Sequence, residues 1–210
     1  IATGSGGGET ITSGILAGTG TGNDIVDWVF AELRNSTTGV VITSRAVLIE
    51  RDGDIVDVDG TGAKTNFINF AGELAGNYHV SIRHRNHLGI RTPAGLGLAR
   101  TTATPYNFST SAAQALSGVQ FNLGGGFFGM YGGNVNGNTT VRFAGPANDQ
   151  NELINVILGA NKSAILSGVY NRGDLNMNGV VRYAGPNNDE NFLINVVLGA
   201  NKAAIITQPF

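Results

Sequence analysis

Two stretches near the carboxyl end of the chain carry side-chain oxygen atoms on alternate residues, except that the second stretch ends at Val180, which offers only its backbone carbonyl. Their residues are Asn134, Asn136, Asn138 and Thr140 in the first stretch, and Asp174, Asn176, Asn178 and Val180 in the second. Positions 1, 3, 5 and 7 of a calcium-binding loop have this spacing, and position 7 binds through its backbone carbonyl. A hard cation needs several oxygen ligands at about 2.4 Å, which such a loop supplies. The spacing therefore predicts two bound Ca²⁺ ions.

A carboxylate farther along the chain is expected to close each site. Position 12 of the two loops is Gly145 or Gly185, and the carboxylates Asp149 and Asp189 follow four residues later. We expect both side chains to fold back and serve as metal ligands. Because the first loop then has one carboxylate and the second has two, we expect the second site to bind Ca²⁺ more tightly.

The same residues also have an interpretation without a metal. Asn and Asp side chains form turns and helix caps by accepting backbone N–H hydrogen bonds. Two loops with one spacing, each followed by a helix pattern, favour calcium over this alternative. A third acidic stretch with Asp52, Asp54, Asp57 and Asp59 is expected to be a surface turn rather than another site.

The two loops belong to an internal duplication. Residues 133–165 and 173–205 align without a gap and are identical at 22 of 33 positions. Each copy predicts a loop, a short strand, a turn and an amphipathic helix. The predicted helix N-caps are Asp149 and Asp189, and the predicted stops are Gly159 and Gly199. Neither copy can bury its apolar helix face alone, so we expect the copies to pack against each other.

Composition and periodicity divide the chain into four segments. Residues 1–23 are rich in Gly and Thr and predict an extended segment. This segment is a flexible leader, a strand of its own domain, or a donor strand for another copy of the chain. Alternating β-branched residues predict a β-sandwich for 24–100, Gly and Pro predict a linker for 101–126, and 127–210 is the duplicated domain. The predicted fold class is mainly β with a small α part.

Bulk composition excludes several function classes. The net charge is −2, so nothing favours a nucleic-acid partner, and no apolar run reaches the length of a membrane span. Charged residues make up 13%, and the polar surface comes instead from 23 Asn and 32 Gly. There is no Cys. The start at Ile1, without Met or a signal-like segment, is expected for a processed secreted chain and equally for a cloned fragment.

No sequence pattern predicts an active site. The three histidines are His79, His84 and His87, and in a strand the last two point to opposite faces. Nucleophile-elbow, zinc-protease and phosphate-loop motifs are all missing from the sequence. Asp57 and Asp59 share a strand face but are more typical of a solvated edge than of a glycosidase pair. We expect the protein not to be an enzyme.

Three resemblances extend these predictions. The loop–helix pair at 133–201 resembles type I dockerins, although those carry a carboxylate where this chain has Gly145 and Gly185. The segments "DWVFAELRN", "RDGD" and "RHRNHLG", followed by this pair, resemble the carboxyl-terminal region of secreted bacterial surface proteins of the hemagglutinin or adhesin type. The chain is also similar to protomers of extracellular bacterial fibrils joined by strand donation. These resemblances imply an extracellular, calcium-binding protein with a β-sandwich and a dockerin-like domain.

The function expected from the sequence is that of a fibril subunit on the cell surface, stabilised by calcium. Its partners would be copies of itself, joined head to tail, and possible glycans. An anchoring module of a secreted adhesin or carbohydrate-active enzyme is the alternative. A detached leader strand favours the first function, and the dockerin-like pair favours the second.

Overall fold

The computed structural model describes residues 11–59 and 61–210, and it is mainly β with antiparallel sheets and two short helices. The chain forms two compact units. The sheet unit contains the described residues up to His84 together with Arg91–Asn107. The repeat unit contains Arg85–Ile90 and Phe108–Phe210. The division therefore falls inside the segment 101–126, and a short piece of the segment 24–100 belongs with the duplication.

The sheet unit is built around one antiparallel sheet. Its strands are β1 (Ile25–Asn35), β2 (Val41–Glu50), β3 (Ile55–Val58), β4 (Lys64–Thr65), β5 (Gly76–His84) and β7 (Leu96–Leu98), and β6 (His87–Arg91) belongs to the repeat unit up to Ile90. Within the unit the strand order is β4-β3-β2-β1-β5, and β7 pairs with β5. The β-sandwich predicted for 24–100 is corrected to a single sheet among the described residues. Alternating strands at regular spacing are compatible with either arrangement, so the pattern could not separate them.

Both faces of the sheet bury side chains, but of different kinds. On β1, Val29 and Leu33 are buried on one face, and Glu32 is buried on the other. The Glu32 carboxylate accepts hydrogen bonds from Ser81 Oγ at 2.6 Å and from Arg83 Nε at 2.8 Å. The β1–β5 register places Glu32 directly opposite Ser81. A buried carboxylate is thus compensated by a guanidinium and a hydroxyl, as burial of a charge requires.

The described part of the amino-terminal segment is not a strand. The backbone hydrogen bonds of residues 11–17 are local, from Ile15 N to Thr12 O and from Ala17 N to Gly14 O, whereas Gly22 O accepts one from Asp52 N at 3.1 Å. The alternative that this segment is a strand of its own domain is therefore not borne out for residues 11–17. Residues 1–10, which the prediction also covers, lie outside the described residues. The end of the segment is held by Asp24, whose carboxylate accepts hydrogen bonds from the N–H groups of Thr19 and Gly20.

The repeat unit contains the two copies as two short strand–helix–strand series. Its elements are β8 (Phe121–Gly124), β9 (Phe127–Gly129), β10 (Thr140–Arg142), α1 (Asp149–Asn151), β11 (Ile165–Ser167), β12 (Val180–Arg182), α2 (Asp189–Asn191) and β13 (Ile205–Thr207). Each helix continues as a π-helical turn, Glu152–Ile157 after α1 and Phe192–Val197 after α2. Two 3₁₀ turns, Ala112–Gln114 and Leu116–Gly118, precede β8.

The two copies exchange strands. The loop strand of the first copy, β10, pairs with β13, which follows the helix of the second copy. In the same way, β12 of the second copy pairs with β11, which follows the helix of the first. Each copy therefore depends on the other for the partner of its loop strand. Because of this reciprocal pairing, we expect neither copy to be stable alone.

One apolar core joins both copies. Its buried members are Leu88, Val135, Val141, Leu153, Ile154, Leu158, Leu175, Val181, Leu193, Val197 and Leu198. The apolar helix faces predicted from the sequence are thus buried against each other. Gly133 lies so close to this core that a Cβ would stand 2.9 Å from Leu193 Cδ1 and 3.1 Å from Val141 Cγ1.

Replacing Gly133 by alanine should therefore overpack the core. Gly133 has φ of +94°, so the backbone strain of the substitution must be separated from the crowding. Gly145 is a matched control because its φ is +92° and a Cβ there meets only Arg142, at the ordinary contact distance of 3.5 Å from Nη1. We expect Gly133→Ala to lower the free energy of unfolding by about 1–3 kcal/mol more than Gly145→Ala, measured by urea denaturation. Equal losses in the two variants would contradict the close packing at Gly133.

Candidate metal centre

The N-caps of both helices lie one residue earlier than predicted. Asn148 caps α1 by accepting a hydrogen bond from Asn151 N at 2.7 Å, and Asn188 has the same role at α2. The prediction that Asp149 and Asp189 are N-caps is therefore wrong. The asparagine takes the cap because the following aspartate side chain is used elsewhere.

The Asp149 carboxylate lies against the first loop, residues 134–140. Its Oδ1 accepts hydrogen bonds from Val135 N at 2.8 Å and Asn136 N at 3.3 Å. Its Oδ2 accepts one from Arg142 N at 2.9 Å. The side chain is fully buried. A residue at the start of the helix thus holds the two ends of the loop together through their backbone N–H groups.

Asp189 repeats this arrangement in the second loop, residues 174–180. Its Oδ1 accepts a hydrogen bond from Leu175 N at 2.7 Å, and its Oδ2 accepts one from Arg182 N at 2.8 Å. This carboxylate is also fully buried. Because both copies have the same geometry, the position of the carboxylate follows from the number of residues between loop and helix, which the copies share.

Burial without a cationic hydrogen-bond partner raises the pKa of both groups. It raises the pKa of Asp149 to about 6, against the lowering effect of the N–H groups of Arg142 and Asn136. Burial, with a smaller contribution from the nearby Asp174 carboxylate, raises the pKa of Asp189 to about 6 against the lowering effect of backbone N–H groups. Both carboxyl groups remain mainly ionised at pH 7. Buried negative charge of this kind is stabilised by a neighbouring cation.

In the first loop, the Asn side chains make turns and leave acceptor capacity unused. Asn136 Oδ1 accepts a hydrogen bond from Asn138 N at 3.0 Å, and Asn138 Oδ1 accepts one from Thr140 N at 2.6 Å. Asn134 donates from Nδ2 to Asn138 O at 2.7 Å, while its buried Oδ1 has no hydrogen-bond partner. An amide oxygen has two lone pairs and can contact both an N–H group and a cation.

In the second loop, Asp174 takes the place of Asn134. Its Oδ1 accepts a hydrogen bond from Asn178 N at 3.0 Å, and its Oδ2 accepts one from Gly179 N at 2.9 Å. Gly179 has φ of +81°, the conformation that a calcium loop requires of the glycine at its position 6. Asn176 Oδ1 and Asn178 Oδ1 accept hydrogen bonds from the N–H groups two residues on, and Val180 is the donor to Asn178.

The structure therefore brings together the residues that each loop prediction named. All five positions of each copy lie in one loop and its returning carboxylate. The hydrogen bonds of the Asn and Asp side chains are those that the turn interpretation predicts. A cation bound through oxygen ligands is compatible with three further features: the spare lone pairs of the amide oxygens, the unpartnered Asn134 Oδ1 and the buried carboxylates. Both interpretations of the sequence are thus compatible with one geometry.

Sequence reasoning missed the role of two arginines. Arg142 donates from Nη1 to Pro146 O at 2.9 Å, and Arg182 donates to Pro186 O at 3.0 Å. Each arginine thus closes the turn between the loop strand and the helix, which sets where the aspartate returns. The signal was available, because the same Arg–turn–Asp order occurs in both copies.

A separate acidic cluster lies in the sheet unit. Glu50, Asp52 and Asp54 have carboxylate oxygens within 4.8 Å of one another, and no other group of three acidic or imidazole side chains this close occurs in residues 11–59 and 61–210. This cluster could hold a metal ion. Glu50 is paired with Lys64, which neutralises one of the three charges. The other two carboxylates are exposed, as expected for a surface turn.

Asp57 and Asp59 have separate, structural contacts. Asp57 is buried and forms an ion pair with Arg45 at 2.7 Å, so the surface-turn prediction is wrong for this residue. Asp59 is exposed and accepts hydrogen bonds from the N–H and hydroxyl of Thr61. The burial of Asp57 follows from its position in β3, which the periodicity of the short segment did not reveal.

Comparisons with known proteins give no relative for this chain. No protein-family model, curated protein or solved structure matches it. Among the described residues, no helix is both long enough and apolar enough to cross a lipid bilayer. The argument on function therefore depends on the geometry of the loops.

Removing the Asp149 carboxylate should destabilise the repeat unit even in the presence of a chelator. Asp149→Ala leaves three buried or half-buried backbone N–H groups without their acceptor, and we expect a loss of about 3 kcal/mol or more in the free energy of unfolding. Asp149→Asn keeps one acceptor oxygen and should lose less. Thermal denaturation in EDTA measures both. An alanine variant as stable as the unmodified chain would show that these hydrogen bonds do not hold the loop.

Proposed function

We propose that this chain is an extracellular structural subunit whose repeat unit is held in shape by two Ca²⁺ ions. The observation that carries the proposal is the pair of buried carboxylates, Asp149 and Asp189, that lie against the two loops with hydrogen bonds from backbone N–H groups. A cation beside each carboxylate would compensate its charge. The oxygen atoms around it are of the type that Ca²⁺ selects.

The residues that would hold the ions follow from the loop positions. The first ion would take oxygens of Asn134, Asn136, Asn138, Thr140 and Asp149. The second would take oxygens of Asp174, Asn176, Asn178, Val180 and Asp189. Bound calcium would supply fixed positive charge that ties loop and helix together. The residues of the chain already orient the aspartates and bury them away from water.

The second loop has the stronger electrostatic reason to bind. Asp174 and Asp189 are both buried, and the charge of the first raises the pKa of the second. Two carboxylates that repel each other attract a divalent ion more strongly than the single carboxylate of the first loop. The proposal therefore includes unequal sites.

Assembly through the amino-terminal segment is the second part of the proposal. Residues 11–17 form local turns and do not pair with a strand of their own sheet. The segment contains alternating apolar residues, and Leu16 is 52% exposed. A strand added to the sheet of the next copy would bury these side chains and make main-chain hydrogen bonds. Such head-to-tail addition does not close and produces a fibre.

An anchoring module is the alternative function, and one observation favours it. Val156 and Val196 occupy the same position in the two helices, and they are 59% and 46% exposed. Two equivalent apolar side chains on a paired surface are suited to a protein partner. Capture of one partner per chain without fibre formation would support this function over the first.

Calcium binding is tested by calorimetry on the full chain. We expect two ions per chain, and at free calcium of 100 times Kd a stabilisation of about 2.7 kcal/mol for each site. Asp174→Ala and Asp189→Ala should each remove the tighter site, because each deletes one of its two carboxylates. Asp54→Asn is the matched control and should still bind two ions, since it alters only the acidic cluster of the sheet unit.

Unchanged calcium uptake in both Asp174→Ala and Asp189→Ala would exclude the loops as the binding sites. Loss of one ion in Asp54→Asn would place a site in the cluster of Glu50, Asp52 and Asp54 instead. The stoichiometry thus separates the two candidate locations.

Fibre formation is tested by negative-stain microscopy of a variant that lacks residues 1–17. This variant keeps Thr19 and Gly20, whose N–H groups contact Asp24, so we expect an intact fold and no fibres. Ile15→Asp should also prevent fibres. In an added strand Ile11 and Ile15 would share one face and Thr12 would lie on the other, so Thr12→Asp should not prevent them. Fibres of normal length from the truncated chain would eliminate strand donation.

A further inference from the structure

Asn86 lies between the first positions of the two loops. It belongs to the repeat unit and is 1% exposed. Its backbone carbonyl accepts a hydrogen bond from Asn134 N at 3.0 Å. Its side-chain Nδ2 donates to the backbone carbonyl of Asp174 at 2.7 Å. A single residue outside the duplication therefore contacts equivalent residues of both copies.

The surroundings of Asn86 hold it in this position. Its Oδ1 is 2.8 Å from His87 Nδ1, so the amide is contacted at both ends. Two residues farther along, Leu88 donates from its backbone N to Tyr131 O at 2.8 Å, and its side chain is buried in the apolar core. The buried amide is thus fully used, as a buried polar group must be.

The two residues that Asn86 contacts are those whose side chains begin the candidate sites. Asn134 has the buried Oδ1 without a hydrogen-bond partner, and Asp174 has the carboxylate that repels Asp189. The contacts of Asn86 fix the backbone of these residues and not their side-chain oxygens. Asn86 is therefore able to orient both first ligands without itself being a ligand.

We propose that Asn86 is a positioning residue that couples the two cation sites. The inference rests on the proposed binding of calcium by both loops. An ion in one loop fixes the backbone at its first position, and Asn86 passes that constraint to the first position of the other loop. Binding at one site then raises affinity at the other, and the effect is equal in both directions.

Strand exchange supplies a second, independent connection. The pairs β10–β13 and β11–β12 also join the copies, but they lie at the far end of each loop from Asn134 and Asp174. Loss of the Asn86 side chain should therefore reduce the coupling and leave the fold of the repeat unit intact. This difference separates a positioning role from a purely structural one.

The experiment is calcium calorimetry on the full chain with one site silenced at a time. Asp149→Asn weakens the first site, and Asp189→Asn weakens the second. We expect each remaining site to bind about tenfold more weakly than in the unmodified chain, a typical coupling between sites. In the Asn86→Ala background, silencing one site should change the affinity of the other by less than about twofold.

Two further variants control for damage to the fold. Asn86→Leu retains the side-chain volume without the amide and should lose the coupling in the same way, if Asn86→Ala does not fold. Leu88→Ala removes core packing two residues along the chain, in β6, and should lower stability while the coupling persists.

The outcomes distinguish this inference from the proposed function. If the unmodified chain binds no calcium, the proposed function fails and the inference fails with it. If it binds two ions and the coupling in Asn86→Ala and Asn86→Leu equals that of the unmodified chain, only the role of Asn86 is overturned. Loss of coupling in Leu88→Ala to the same extent would likewise reduce Asn86 to a structural residue.

Discussion

The return of a buried aspartate to its own loop is the constraint on which the repeat unit depends. Asp149 and Asp189 each bring the two ends of a loop together through backbone N–H groups. This contact sets where the helix begins, so the N-cap falls on the preceding asparagine. It also places an ionised group where water cannot solvate it, which makes a nearby cation favourable. The return of the aspartate therefore determines both the start of the helix and the place where a cation would be favourable.

Each copy of the duplication needs the other to bury its apolar side chains and to pair its strands. Each copy has a helix of only a few turns and two strands of three residues, which cannot bury enough apolar surface alone. Exchange of strands between the copies gives every loop strand a partner, and Val141 and Val181 are fully buried beside those pairs. The repeat unit also takes in Arg85–Ile90, which adds Leu88 to the core and Asn86 between the loops.

Buried carboxylates are compensated by cationic side chains in the sheet unit and by backbone N–H groups in the repeat unit. Glu32 is buried between Arg83 and Ser81, and Asp57 is buried against Arg45. These carboxylates have cationic partners in the structure, so a metal is not needed to compensate them. Asp149 and Asp189, whose hydrogen bonds come from N–H groups, differ in this respect. The contrast between the two units supports the proposal that cations bind at the loops.

By itself, the sequence determined the mainly β composition, the duplication, the loop strands and the buried helix faces, because period and spacing act over a few neighbouring residues. It also named the loop residues that the fold brings together. Only the tertiary structure decided the single sheet, the exchange of strands, the shift of the caps to Asn148 and Asn188, and the place of Asn86. Each of these depends on residues far apart in the chain that compete for the same hydrogen-bonding groups, and no local pattern records the outcome of that competition.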